Sequence, residues 1–350
     1  MTKRPSAPTT AASEAQRVAE LGRNATYGDS PDVALQRHRD ALSLLGSSEL
    51  TPLHVDTLRG EGNVLLHRGR TTDAQRLYDR SLEIARHLGY KRGIAHALNC
   101  LAGLADRRGE LMIASELLTD ALGLADSCGE VSLVAMIHTN LGVIADVRGD
   151  PGQAIDHYRV ALDVAEKVGD EQQVVRVLVN LSTLLIAQHV YGEADRAIAR
   201  GLQLAKARGE LYYEGVFEEN RAEMHLARGE LEEAEPAILR ALAIAEQRRD
   251  DVRKSAALKL RGAWERMTGR NDAAIDTLRY AATLAAVGED ALLGAEVLYQ
   301  FGLALFDGKN EPLAREAWRT ALDAFERISA REWVERVRER LATGSTAHYM

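Results

Sequence analysis

Apolar residues recur every three to four positions along nearly the whole chain, and no window alternates apolar with polar over a strand's length. That spacing is one face of an α-helix, so helices are predicted throughout and strands nowhere. Residues 131–170 show the pattern most plainly, as two amphipathic stretches around Gly149-Asp150-Pro151. A glycine there suits a left-handed helix end. Asp150 suits the N-cap of the next helix, and Pro151 its first turn. Ala154, Tyr158 and Ala161 follow at i, i+4 and i+7 on one stripe of the second helix. Small, large, small is the pattern of a close helix–helix contact.

The same unit repeats with a step of 40 residues. The first small place is Ala34, Ala74, Ala114, Ala154, Ala194, Ala234, Ala274 and Ala314. The second is Ala41, Ser81, Ala121, Ala161, Gly201, Ala241, Ala281 and Ala321. A third, on the first helix of each unit, is Gly22, Gly62, Ala102, Gly142, Ser182, Ala222, Gly262 and Gly302. The large place is His38, Tyr78, Leu118, Tyr158, Ile198, Ile238, Leu278 and Trp318. The turn glycine recurs at 69, 109, 149, 229 and 269 and is replaced by Asp29, His189 and Lys309. Phased columns over eight units define a helical repeat whose members cannot bury their apolar faces alone.

Gly142, Ala154, Tyr158 and Ala161, with their spacing, resemble the tetratricopeptide repeat signature over about residues 11–328. The usual unit is about 34 residues, so the helices here are longer. The signature's opening tryptophan is absent and its closing proline mostly missing. The long form resembles the repeats of kinesin light chains and of bacterial peptide-sensing regulators. HEAT-type repeats share the length, but the small–large–small columns disfavour them. The resemblance implies an all-α, right-handed solenoid with first helices on a concave face and second helices on a convex one.

The step places first helices at 11–26, 51–68, 91–108, 131–148, 171–188, 211–228, 251–268 and 290–307. Second helices fall at 31–45, 71–88, 111–128, 151–168, 191–208, 231–248, 271–287 and 310–327. The expected domains are a disordered tail (1–10), an eight-repeat solenoid (11–328), a capping helix (329–342) and a second disordered tail (343–350). On the capping helix Trp333, Val337 and Leu341 share a stripe with Val334 beside them. Sealing the last repeat is the expected role; a homodimer surface built on Trp318 and Trp333 is the alternative.

Composition narrows the function. The chain has 350 residues, 52 acidic against 44 basic, and a net charge of -8, which disfavours non-specific nucleic-acid binding. No apolar run reaches membrane-spanning length and MTKRPSAPTT is not a secretory signal, so a cytoplasmic protein is expected. Cys100 and Cys128 suit reduced structural thiols, and a disulfide between them is disfavoured. The ten histidines form no HExxH pattern, and P-loop, GxSxG and strand-borne GxGxxG motifs are absent. No catalytic residue, metal or cofactor is therefore expected. Glu218, Glu219 and Glu223 are read as a solvated helix face.

The expected function is protein or peptide binding in the groove. Asn140, Asn180 and Asn220 hold one geometric place in successive units, with Asn63 and Asn99 within a turn of it earlier. A carboxamide both donates and accepts, so such a ladder can clamp an extended peptide backbone, as the resembled peptide-binding proteins do. It can equally set the stacking of neighbouring repeats. Arg59, His96, Thr139, Arg176, Glu219, Lys259 and Tyr299 are the candidates for specificity. The Lys/Asn two-carboxylate clamp of heat-shock-chaperone-binding repeats is not matched here. Tyr212, Tyr213 and Phe217 are a mild interface signal, with inter-repeat packing favoured. The three functional readings are a scaffold for a partner segment, a peptide-sensing regulator, and a self-assembling structural protein.

Overall fold

A computed structural model describes residues 10–26, 31–46, 49–288, 290–328 and 330–343. The described residues form seventeen α-helices and no strand. Both expected tails lie outside the described residues, except that Thr10 already belongs to α1 and Thr343 still belongs to α17. The helices are α1 (Thr10–Thr26), α2 (Pro31–Leu45), α3 (Pro52–His67), α4 (Thr71–His87), α5 (Lys91–Arg107), α6 (Leu111–Cys128), α7 (Val131–Val147), α8 (Pro151–Val168) and α9 (Glu171–Ala187). They continue as α10 (Tyr191–Arg208), α11 (Leu211–Ala227), α12 (Leu231–Arg248), α13 (Asp251–Met267), α14 (Asn271–Val287), α15 (Ala291–Asp307), α16 (Glu311–Arg327) and α17 (Arg331–Thr343). The ends agree with those read from the repeat to within one or two residues.

The chain divides into two compact units, residues 1–173 and 174–350, with the division inside α9. In unit 1 each odd helix packs on the even helix after it (α1 on α2, α3 on α4, α5 on α6, α7 on α8), and the odd helices also pack on one another. Unit 2 repeats the arrangement with α11 on α12, α13 on α14 and α15 on α16, closed by α17 on α16. Each unit is thus a stretch of all-α solenoid.

The columns explain the packing. Ala154, Tyr158 and Ala161 are all buried, and Tyr158 lies flat against Gly142, where an added Cβ would meet the ring at 2.5 Å. Gly62 receives Tyr78 in the same way. A buried ring of this size contributes about 1.5–3 kcal/mol. In unit 2 Leu278 sits on Gly262, Trp318 on Gly302 and Phe217 on Gly201. Phe217 is therefore core packing, whereas Tyr212 stays exposed with the Arg248 guanidinium over its ring.

Turns obey the same period. Gly149 adopts φ +80°, and Asp150 N–H donates back to Ala145 O at 2.9 Å. Asp150 then caps α8 by accepting from Gln153 N–H at 2.9 Å. The substituted places keep the left-handed turn: His189 has φ 59° and Lys309 φ 65°. Asp29 lies outside the described residues.

Of the two tryptophans considered for a homodimer surface, Trp318 belongs to the core. Trp318 is fully buried, and its Nε1–H donates to Tyr299 O at 3.2 Å. Trp333 stacks on Phe325 with ring centres 5.0 Å apart and meets Tyr299 edge-on at 5.4 Å. Trp318 is thus closed to any partner, while Trp333 is half-buried with the Arg336 guanidinium over its ring.

Candidate functional site

In unit 1 the candidate residues lie on α3, α5 and α7. Asn63 Oδ1 accepts from Tyr78 OH at 2.8 Å and lies 3.7 Å from Cys100 Sγ. Asn140 Nδ2 donates to Asn99 Oδ1 at 2.9 Å. Asn63, Asn99 and Asn140 are half-buried, and each commits one end of its carboxamide to a neighbouring helix. The other end has no bond among the described residues. These contacts join residues 37 and 41 apart in sequence, one repeat plus or minus part of a turn.

Arg59 and His96 lie one turn before Asn63 and Cys100 on their helices. Burial, reinforced by the Arg59 and Arg92 charges, pushes the His96 imidazole down to about 3, so it is neutral at physiological pH. Burial also raises the Cys100 thiol, which is an unreactive state. Thr139 is not a groove residue. It is 4 % exposed, its hydroxyl donates to Ala135 O at 2.8 Å, and it accepts from Gln173 Nε2 at 2.8 Å.

In unit 2 the same face is built from ion pairs. Glu219 on α11 is 7 % exposed and meets Arg253 of α13 at 3.0 Å. Burial outweighs that guanidinium and pushes the Glu219 carboxyl up to about 7. Lys259 of α13 pairs with Glu296 of α15, and Arg266 of α13 with Asp307 of α15 at 3.0 Å. Asn220 is interior, donating to Ser182 Oγ at 2.9 Å and Thr183 Oγ1 at 3.0 Å. Its place in the proposed ladder is taken by a stacking role. Tyr299 is also corrected: it is 1 % exposed beneath Trp333. Asn180 is half-buried and Arg176 exposed on α9.

The solvated-face reading of the α11 glutamates also fails for two of three. Glu218 and Glu219 are buried, and Glu223 is exposed. Burial raises the Glu218 carboxyl, against the pull of Arg221, Lys206 and Arg240. Arg253 and Glu296 were missed by the sequence reading. The signal was present as opposite charges separated by 34 (Glu219–Arg253) and 37 (Lys259–Glu296) residues, the offsets at which first helices of successive repeats touch.

Among the described residues no cluster of histidine, cysteine and carboxylate side chains is arranged to hold a metal, and no helix is long and apolar enough to cross a membrane. Cys100 and Cys128 are free thiols.

No family model and no curated protein matches the sequence. Solved structures do match the fold. The apo form of the quorum sensor NprR from B. thuringiensis is similar with a TM-score of 0.67 at 15 % identity, over 91 % of this chain and 89 % of that one. Aspartyl phosphate phosphatase F from Bacillus subtilis gives 0.64 at 13 %, over 100 % and 99 %. A Rap protein complexed with Competence and Sporulation Factor gives 0.62 at 12 %, over 95 % and 97 %. At such identities the likeness shows the fold alone: with the phased small–large–small columns, this chain folds as an all-α solenoid of long tetratricopeptide-like repeats, similar in architecture to these structures.

Proposed function

We propose that this chain is a non-enzymatic binding protein that holds an extended peptide, or an extended segment of a partner protein, on the face formed by its odd-numbered helices. The observation that carries the reading is the row Asn63, Asn99 and Asn140 in unit 1. Each carboxamide is fixed at one end by a neighbouring helix and open at the other. Side chains held in this way lose little rotamer freedom on binding, and an extended backbone offers the alternating donors and acceptors that they match.

The test is affinity capture from the source cells with mass spectrometry, comparing the wild type with an Asn63→Ala/Asn99→Ala/Asn140→Ala variant shown by circular dichroism to be folded. A partner recovered by the wild type and lost by the folded variant supports the reading. A partner retained by the variant moves binding to the even-numbered helices or the ends.

A second reading, a peptide-sensing regulator, is favoured by the similar structures, which include a quorum sensor and a Rap protein bound to a signalling factor. In that case ligand binding changes the relation between repeats and thereby a second interaction. Hydrogen exchange distinguishes the two: protection confined to α3, α5 and α7 fits a scaffold, and protection spreading to distant turns fits a sensor. One similar structure is named as a phosphatase. Turnover of an acyl-phosphate substrate by the purified chain would overturn the non-enzymatic reading.

A further inference from the structure

The cations of the odd-helix face are not alike. In unit 2 Arg253, Lys259 and Arg266 each face a carboxylate of a neighbouring odd helix. Arg59 has no such partner. Its side chain is 19 % exposed, and among the described residues its only ion pair is with Asp56 of its own helix, at 3.5 Å. That carboxylate is shared, since Tyr90 OH donates to it at 3.3 Å. The Arg59 Nε–H is buried and meets no acceptor; the same holds for Arg266 Nε–H, but Arg266 also has a cross-helix carboxylate at 3.0 Å. A guanidinium carries five N–H donors in a planar fork, and here a single one reaches an acceptor, at the outer limit of a hydrogen bond.

A mostly buried, under-compensated guanidinium is costly to the fold unless something else meets it. Its neighbours do not. His96 is held neutral beside it and Cys100 is held as the thiol. Arg92 is itself a cation, paired at 3.1 Å with Glu130. The unmet charge therefore sits one helical turn before Asn63, at one end of the Asn63–Asn99–Asn140 row, with about a fifth of its side chain exposed, and a guanidinium is the side chain suited to a planar anion.

We propose that Arg59 is the docking point for a carboxylate of the bound peptide, which it receives as a bidentate pair while the asparagine row holds the adjoining backbone. The proposal rests on the peptide-binding reading above for its biological sense, but its chemistry is tested separately. The ligand class is a peptide bearing a carboxylate at its terminus or on an aspartate or glutamate side chain. The pair replaces water around a charge that the fold has already desolvated, so affinity gains without further cost to the protein.

The probe is N-acetylglycine, a minimal peptide carboxylate, with N-acetylglycinamide as its neutral control. The full chain, labelled with 15N at arginine, is titrated with each while the Nε–H signals are followed; Arg59→Gln identifies the Arg59 signal. The expected result is a saturable shift of that signal with the acid, at least tenfold weaker or absent with the amide, and no saturable acid binding to a folded Arg59→Gln variant. No saturable shift in the wild type, or equal acid binding by the variant, overturns the proposal. A synthetic heptapeptide library then tests the source. Wild type should enrich either free C-termini over amidated ones or Asp/Glu over Asn/Gln at internal positions, and the variant should lose that preference while still retaining neutral peptides. Failure to retain any peptide sinks the peptide-binding reading while leaving the acid titration to decide the carboxylate site.

Discussion

The two units present chemically different versions of one surface. In unit 1 the odd helices α3, α5 and α7 meet through neutral carboxamides, and Arg59 stands without a cross-helix counterion. In unit 2 the odd helices α11, α13 and α15 meet through ion pairs that give each of these cations a cross-helix carboxylate. The same repeat geometry thus leaves polar capacity unused in unit 1 and turns it to cohesion in unit 2, where the groups are matched internally. On the reading proposed above the first surface is the one left for a ligand; the second is largely occupied by itself.

The largest effect that would break this comparison comes from removing one partner of a unit 2 pair. Glu296→Ala removes the one carboxylate bonded to Lys259, whose side chain is 18 % exposed, leaving it only the through-space charges of Glu223 and Glu219. We expect a loss of about 2 kcal/mol, below the full cost of breaking a buried pair because water still reaches the site. Urea denaturation would measure it, with hydrogen exchange in α13 and α15 locating the damage. Replacing both partners by methionine should recover most of the loss. Arg59→Gln in unit 1 should stay within about 0.5 kcal/mol of the wild type or be mildly stabilising, since no cross-helix pair is broken. A large loss at Arg59 would show that its charge has an internal role.

The architecture was readable because its causes are periodic. Small residues at Gly142, Ala154 and Ala161 and a large one at Tyr158 fix both helices of a unit and their contact, and a step of 40 carries the solution along the chain. The site was less readable because an odd helix is surrounded by its even partner and by two other odd helices. Successive residues are rotated by about 100°, so a single step moves a side chain from the open face to an internal contact. Asn140 kept part of its amide open while the adjacent Thr139 turned inward to Gln173. Asn220 occupies the Asn140 place but found Ser182 and Thr183 within reach, hydroxyls that the earlier repeat lacks. Neighbour identity, rather than position in the repeat, decided which amide remained available.

A smaller and sharper contrast concerns pH. His96 in unit 1 has its pKa pushed down to about 3, from an ordinary value of 6.5. The unfolded chain therefore takes up a proton that the folded chain refuses, and stability is lost as pH falls below 6.5. Glu219 in unit 2 is pushed up to about 7 from 4.5, so the folded chain keeps a proton that the unfolded chain releases. Its contribution is fully present below pH 4.5 and is lost as pH rises through 7. The two slopes oppose each other between about pH 4.5 and 6.5. His96→Gln should remove the acid-side loss, about 2 kcal/mol at pH 5, and steepen the net fall on going from pH 4.5 to 7. Glu219→Gln should remove that fall and leave the histidine slope exposed. Urea midpoints at half-unit pH steps would check both; parallel curves for wild type and variants would sink the assignment.

The smallest contrast lies in the turns. The described left-handed turns of unit 1, at 46, 69, 89, 109, 129, 149 and 169, are all glycine, while unit 2 has glycine at 209, 229 and 269 but His189, Arg249 and Lys309 in the same conformation. A side chain in that region crowds its own backbone by about 1 kcal/mol, which glycine avoids. Lys309→Gly should therefore stabilise unit 2 by up to about 1 kcal/mol, offset in part by glycine's greater freedom in the unfolded chain. Arg249→Gly should do much the same. His189→Gly should gain least, because the imidazole Nδ1 and the Tyr191 hydroxyl form a hydrogen bond of 2.7 Å that the substitution removes. Thermal unfolding of the three variants would rank them. If His189→Gly instead gave the largest gain, the strain of the turn rather than the local hydrogen bond would govern these positions, and the non-glycine turns of unit 2 would be pure cost to the fold.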